Sequence, residues 1–206
     1  MPMRRLIYAA AVSILALGAA LGPASAEAPF GFDQAPGKLP KTVRPTAYRI
    51  DVAPDLSKLT FTGREAIDVD VRKPTSMVTL NEAGLTLHSV TLETGATAAI
   101  SVDEKAQTAT FTFAQAVPAG RHTLDIVYSG PILGTPNGIY YNDYKTPAGV
   151  SKRMLVTQFE VADARRMFPA WDEPAFKATF QLSATLPSAF AAISNMPIAS
   201  STAGDA

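Results

Sequence analysis

An alternation of period two, repeated along most of the chain, restricts the possible folds more than any other feature of this sequence. Phe61, Ile67, Val69 and Val71 share one parity, and Arg64, Asp68, Asp70 and Arg72 occupy the other. Leu124, Ile126 and Tyr128 repeat the spacing. So do Phe176, Ala178, Phe180, Leu182, Ala184 and Leu186, set against Lys177, Thr179, Gln181 and Ser183. Successive side chains of a strand leave opposite faces, so this pattern specifies strands with one apolar and one wet face. Further β-like runs cover 48–52, 77–81, 85–93, 98–102, 108–113, 154–159 and 191–194. Thr, Val and aromatic residues supply the strand propensity in these runs. Turn chemistry separates them at Glu82-Ala83-Gly84, Thr94-Gly95, Asp103-Glu104-Lys105, Pro118-Ala119-Gly120 and Ser129-Gly130-Pro131. Beyond residue 26 no segment sustains a helical period, and 162–168 is expected to form at most one helical turn before Pro169. Many short, closely spaced strands predict an all-β fold of saddle-shaped or sandwich-like antiparallel sheets.

The two ends read differently. Arg4 and Arg5 precede an apolar stretch from Leu6 to Leu21, and Ala24-Ser25-Ala26 follows as a small-residue cleavage site. This order predicts a secretory signal peptide over 1–26, with an uncleaved anchor as the alternative. The apolar run is shorter than the ~20 residues of a spanning helix, which weighs against that anchor, and no stable membrane anchor is expected after cleavage. Residues 27–45 carry Pro29, Pro36, Pro40 and Pro45 with Gly31 and Gly37, and read as an extended leader. The β-domain is expected over 46–198. Residues 199–206 form a small, polar tail or a truncated end.

Losing Arg4 and Arg5 would leave 16 basic and 18 acidic residues, a net charge of −2. That balance offers no strongly basic face for a phosphate backbone, so nucleic acid is not an expected partner. The chain has no cysteine, which excludes disulfides, thiolate metal sites and thiol hydrolases. An exported chain of this kind, periplasmic or extracellular, must rely on a packed core.

The densest chemistry lies in Thr157-Gln158-Phe159-Glu160 and in Asp163-Ala164-Arg165-Arg166-Met167-Phe168-Pro169-Ala170-Trp171-Asp172-Glu173-Pro174. On an extended strand Gln158 and Glu160 share parity and leave one face about two residue rises apart. A carboxylate and an amide carbonyl so arranged can hold an ammonium group, or they can be an ordinary solvated edge. Asp172 and Glu173 are adjacent, which does not suit them to flank one scissile bond. They are expected to tie a turn and pair with Arg165 or Arg166, with Trp171 and Phe168 buried.

Several pieces occur in one order: Leu39-Pro40 to Ile50, Phe61-Thr62-Gly63, Leu80-Asn81, Gly138-Ile139-Tyr140-Tyr141, the 157–174 stretch and Ser194-Asn195-Met196-Pro197. Together they resemble the N-terminal domain of the aminopeptidase N-type (gluzincin) zinc metallopeptidases, across roughly residues 39–197. Trp171 is a departure, since many relatives carry a smaller residue there. The resemblance implies a β-saddle beside a thermolysin-like catalytic domain. It also implies that Gln158 and Glu160 grip the free α-amino group of a peptide substrate. Anchoring the amine sets how far the first peptide bond enters the cleft, which is what makes a peptidase an exopeptidase.

The family's zinc site requires His-Glu-x-x-His with a downstream Glu. Here the histidines are His88 and His122, neither in that motif, and Gly-x-Met-Glu-Asn is missing too. No Gly-x-Ser-x-Gly elbow is present. No catalytic or metal-binding residue is therefore expected in this chain, which as written does not hydrolyse peptides by that mechanism. Zinc is expected in the missing catalytic domain, the partner of this one in a zinc-dependent metalloaminopeptidase. The alternative is a free-standing, non-catalytic exported β-domain that binds peptide N-termini or a protein partner. A generic adhesion or sugar-binding sandwich has little to support it: the only Trp sits in the Pro-bracketed turn and there is no carboxylate-rich calcium loop.

Overall fold

A computed structural model describes residues 30–202. The signal peptide read over 1–26 lies outside the described residues, as do 27–29 and 203–206. Within the leader, the peptide around Phe32–Leu39 forms turns and packs onto the domain. The Phe32 ring meets Phe176 edge-on at 5.3 Å, and Asp33 bridges to Arg72 with a 3.0 Å bond to Nη2. Strand β1 (Val43–Asp55) begins inside the stretch read as leader.

Nine strands follow: β2 (Thr60–Val71), β3 (Thr75–Asn81), β4 (Thr86–Leu92), β5 (Ala98–Asp103), β6 (Thr108–Val117), β7 (Gly120–Pro131), β8 (Gly138–Lys145), β9 (Ser151–Gln158) and β10 (Thr179–Ala184). One 3-10 turn, Ala164–Arg166, follows β9. The strands form a five-stranded sheet in the order β10-β1-β2-β7-β4, a three-stranded sheet β3-β6-β5, and the hairpin β8-β9. The all-β expectation is met, and among the described residues every pairing of two strands is antiparallel except β1 with β10, which is parallel.

The alternation determines which side chains fill the core. Ile50, Ile67, Leu124 and Ile126 of the large sheet and Leu80, Ala109 and Phe111 of the smaller one join a single buried cluster. The opposite face of the large sheet carries cross-strand ion pairs, among them Arg49–Asp68 at 2.6 Å and Arg44–Asp70 at 3.1 Å. Exposed pairs of this kind are worth only about 0–1 kcal/mol each.

Three local expectations need correction. Ser129-Gly130-Pro131 is the end of β7, paired with Phe61, Thr62 and Thr60, and not a turn. Gly130 is required there by close packing, since a Cβ would lie 2.8 Å from the Phe61 ring and 2.7 Å from Leu85 Cδ2. Residues 191–194 form no strand, because no neighbouring strand takes their backbone groups, and Ile193 is 96% exposed. The strand read from Phe176 contracts to β10, with Phe176 buried in the preceding loop. Gly138-Ile139-Tyr140-Tyr141 opens β8, a strand not read from the sequence, whose outer half does not alternate: Asn142, Asp143, Tyr144 and Lys145 are all exposed.

Candidate functional site

The segment between β9 and β10 divides into an exposed turn and a stapled stretch. β9 ends at Gln158, and Glu160 lies in the turn beyond it. The strand therefore stops two residues short of Glu160 and shared parity no longer applies, although both side chains are exposed. The Glu160–Val161 peptide is cis. Gln158 Oε1 accepts hydrogen bonds from the backbone N–H groups of Phe159 (2.8 Å) and Glu160 (3.2 Å). A carbonyl oxygen has two lone pairs, so in this conformation that oxygen is satisfied within the chain. The Glu160 carboxylate is then the accepting group the turn presents to solvent. Gln158 would have to rotate its side chain to contribute a carbonyl to the same cation.

The turn is anchored from behind. Asp163 N–H donates to Phe159 O at 3.0 Å, closing the loop around Glu160. The Asp163 carboxylate accepts from Asn137 Nδ2 and from Arg166 Nε, each at 2.7 Å. These bonds, Asn137 first and Arg166 second, hold the Asp163 carboxyl below the usual carboxylate range. Gly138, paired with Gln158 across the β8-β9 hairpin, makes the approach possible. Its φ is +65°, and a Cβ there would stand 2.6 Å from Arg166 Cβ.

The stretch from Arg165 to Glu173 is bound into the core. Arg165 Nε donates to Asp172 Oδ2 at 2.9 Å, as expected from the sequence, and the pair is largely buried. Arg165 Nη2 also donates to the Asp172 carbonyl at 3.1 Å. Ala170 and Asn81 exchange both backbone hydrogen bonds, at 2.7 and 3.0 Å. Trp171 N–H donates to the Tyr48 hydroxyl at 3.1 Å, and both Trp171 and Phe168 are buried. Glu173 departs from its expected role. It pairs with neither arginine; its Oε1 accepts from the backbone N–H groups of Lys38 (2.7 Å) and Leu39 (3.1 Å), far away in sequence. The leader supplies those donors because its turns leave them without backbone partners.

His88 lies at a register shift in β4, between Leu87 and Ser89, and His122 on β7 pairs with Val69. His88 Nε2 is 2.9 Å from Ser129 Oγ. In His122, Nδ1 is 2.8 Å from Glu93 Oε1 and Nε2 is 3.0 Å from Pro118 O. Among the described residues no group of three or more His, Asp or Glu side chains is arranged to hold a metal ion. Two features went unread in the sequence. Asn137-Gly138 is a turn dipeptide whose signal was available. Glu65, on the core parity of β2, is fully buried and finds no hydrogen-bond partner for either oxygen.

Comparison with known proteins bears on this geometry. A family profile described as Peptidase M1 N-terminal domain matches residues 44–206. An aminopeptidase N of Acetobacter pasteurianus is 57% identical over 201 residues, covering 97% of this chain and 56% of the relative. Aminopeptidase M1-D of Oryza sativa subsp. japonica is 39% identical over 163 residues, covering 78% of this chain and 19% of its own length. Endoplasmic reticulum aminopeptidase 1 of Rattus norvegicus is 30% identical over 172 residues, covering 80% of this chain and 18% of its own. The chain thus spans about half the length of the first relative and about a fifth of the other two.

Proposed function

The chain belongs to the Peptidase M1 N-terminal domain family, and from that membership we propose that it is the substrate-anchoring domain of an exported zinc aminopeptidase. The carrying observation is the exposed Glu160 carboxylate in a turn fastened at Asp163, next to Gln158. A carboxylate fixed in this way accepts charge-assisted hydrogen bonds from a peptide's free α-ammonium. Gln158 joins by releasing its carbonyl from the Phe159 and Glu160 amides when the ammonium arrives. The anchored amine then determines which peptide bond is presented for hydrolysis.

The residues described here do not fit a zinc ion. Both ring nitrogens of His122 are engaged, the chain has no cysteine, and no ligand cluster is formed among the described residues. The hydrolytic step accordingly belongs to a catalytic domain, and this chain supplies orientation and specificity for a free N-terminus. The signal-like first 26 residues support an exported location, periplasmic or extracellular.

The test uses the gene product as translated. On this reading, its frame encodes His-Glu-x-x-His and a downstream Glu, and the protein hydrolyses leucine p-nitroanilide in a zinc-dependent manner. Glu160→Gln should then lower kcat/KM by about 10–100-fold, the range for losing one charged hydrogen bond. A translated product that ends without that motif, or an unchanged kcat/KM in Glu160→Gln, would overturn the proposal. The first result with intact peptide binding would leave a free-standing binding module.

A further inference from the structure

Asp163 stands directly before a 3-10 turn, the position where an Asp side chain ordinarily caps the first free N–H groups. It does not do so here: its carboxylate takes no backbone N–H of the 3-10 turn. Its carboxylate faces the other way, towards Asn137 at the entrance to β8 and towards the Arg166 side chain. Its backbone N–H meanwhile holds Phe159 O. One residue therefore fastens the loop carrying Glu160 to the strand that pairs with Gln158. The charged groups bearing on it are Arg166 and, more weakly, Arg165; Asn137 and Gly138 bring no charge from the β8 side.

Glu160 needs such a fastening. It has no side-chain hydrogen bond of its own, and Val161 beside it is 98% exposed. Phe159 packs edge-on to Phe168 at 5.9 Å, but the Glu160–Val161 tip buries no side chain of its own and leans on the polar bonds at its base. If those bonds were absent, an incoming ammonium would have to order the loop as well as bind it.

We propose that Asp163, through Asn137 and Arg166, is a positioning residue that pre-organises Glu160 to receive an ammonium group. The proposal rests on the anchoring function above, but it makes a separate claim about the unliganded loop. Its test therefore has two readouts on the chain itself. The first is the amide NMR signals of Phe159, Glu160 and Asp163 without ligand. The second is affinity for trialanine against N-acetyl-trialanine.

In Asp163→Ala the three signals should move towards random-coil positions while the Ile67 and Leu124 signals stay in place. Preference for the free amine should fall by about tenfold. Asn137→Ala removes only one 2.7 Å bond and keeps the proposal testable if Asp163→Ala fails to fold. It should give the same changes at smaller amplitude. Signals from Phe159 to Asp163 that stay put in a folded variant would overturn the positioning role, whatever happens to trialanine. A natural chain that binds both peptides alike would sink the anchoring reading, and the unliganded signals would still decide the role of Asp163.

Discussion

β2 and β10 carry similar alternation and end in opposite environments. On β2, Phe61, Ile67, Val69 and Val71 are all buried, and Ile67 is 0% exposed. On β10, Phe180 is 61% and Leu182 is 55% exposed, although both continue the core-facing rows of Tyr48 and Ile50 on β1. β2 lies between β1 and β7, whereas β10 is the edge of its sheet. Alternation therefore specifies a strand and its parity, while burial depends on whether a second layer extends over that strand. Phe180 is covered on one side only, stacked on Tyr48 at 4.7 Å and edge-on to Phe168 at 6.2 Å.

The contrast can be sharpened by matched substitutions, read as shifts in urea unfolding free energy. Ile67→Ala removes a fully buried side chain and should cost about 2–5 kcal/mol. An effect below that range would mean that the surrounding core collapses to fill the cavity.

Glu65 tests the one place where β2 breaks its own pattern. A buried carboxyl without partners is disfavoured when charged, so burial pushes its pKa well above the usual value. The ordinary value for Glu is 4.5. Between that pH and the higher folded value, the folded state holds a proton that the unfolded state has released. Stability should therefore fall as pH rises through this window. Glu65→Met should remove that slope and stabilise the domain by about 1–4 kcal/mol at neutral pH. Matching pH profiles for the two proteins would show instead that Glu65 reaches a compensating partner.

On the edge strand the effects should be smaller. Phe180→Ala should cost about 1 kcal/mol, the scale of an aromatic pair with partial burial. Leu182→Ser should stay within about 0.5 kcal/mol, as for exposed sites generally. A loss at Leu182 comparable with that at Ile67 would break the comparison and place β10 inside a covered layer.

The candidate site was legible only in part, for related reasons. Gln158, Glu160 and the Arg165–Asp172 pair were visible because their chemistry and spacing are local. The Glu173 contact with Lys38 and Leu39 was not, since nothing at either end marks a partner more than 130 residues away. The lost parity of Glu160 was hidden as well. Where β9 stops depends on how the loop is tied to Asn137, and a β9 read in isolation carries no trace of that bond.

The sequence by itself determined the strand-rich class, the inward parity of β2 and β7, most turn positions and the absence of thiol chemistry. Those properties follow from a period of two, from backbone preferences and from composition, all of which act over a few residues. Only the tertiary structure decided that β10 joins β1 in parallel, that its apolar face stays open and that Glu65 is sealed in the core. It also decided that Asp163 fastens the Glu160 loop to β8. Each of these depends on which distant segment arrives as neighbour, and burial and hydrogen bonding are properties of the pair rather than of either segment.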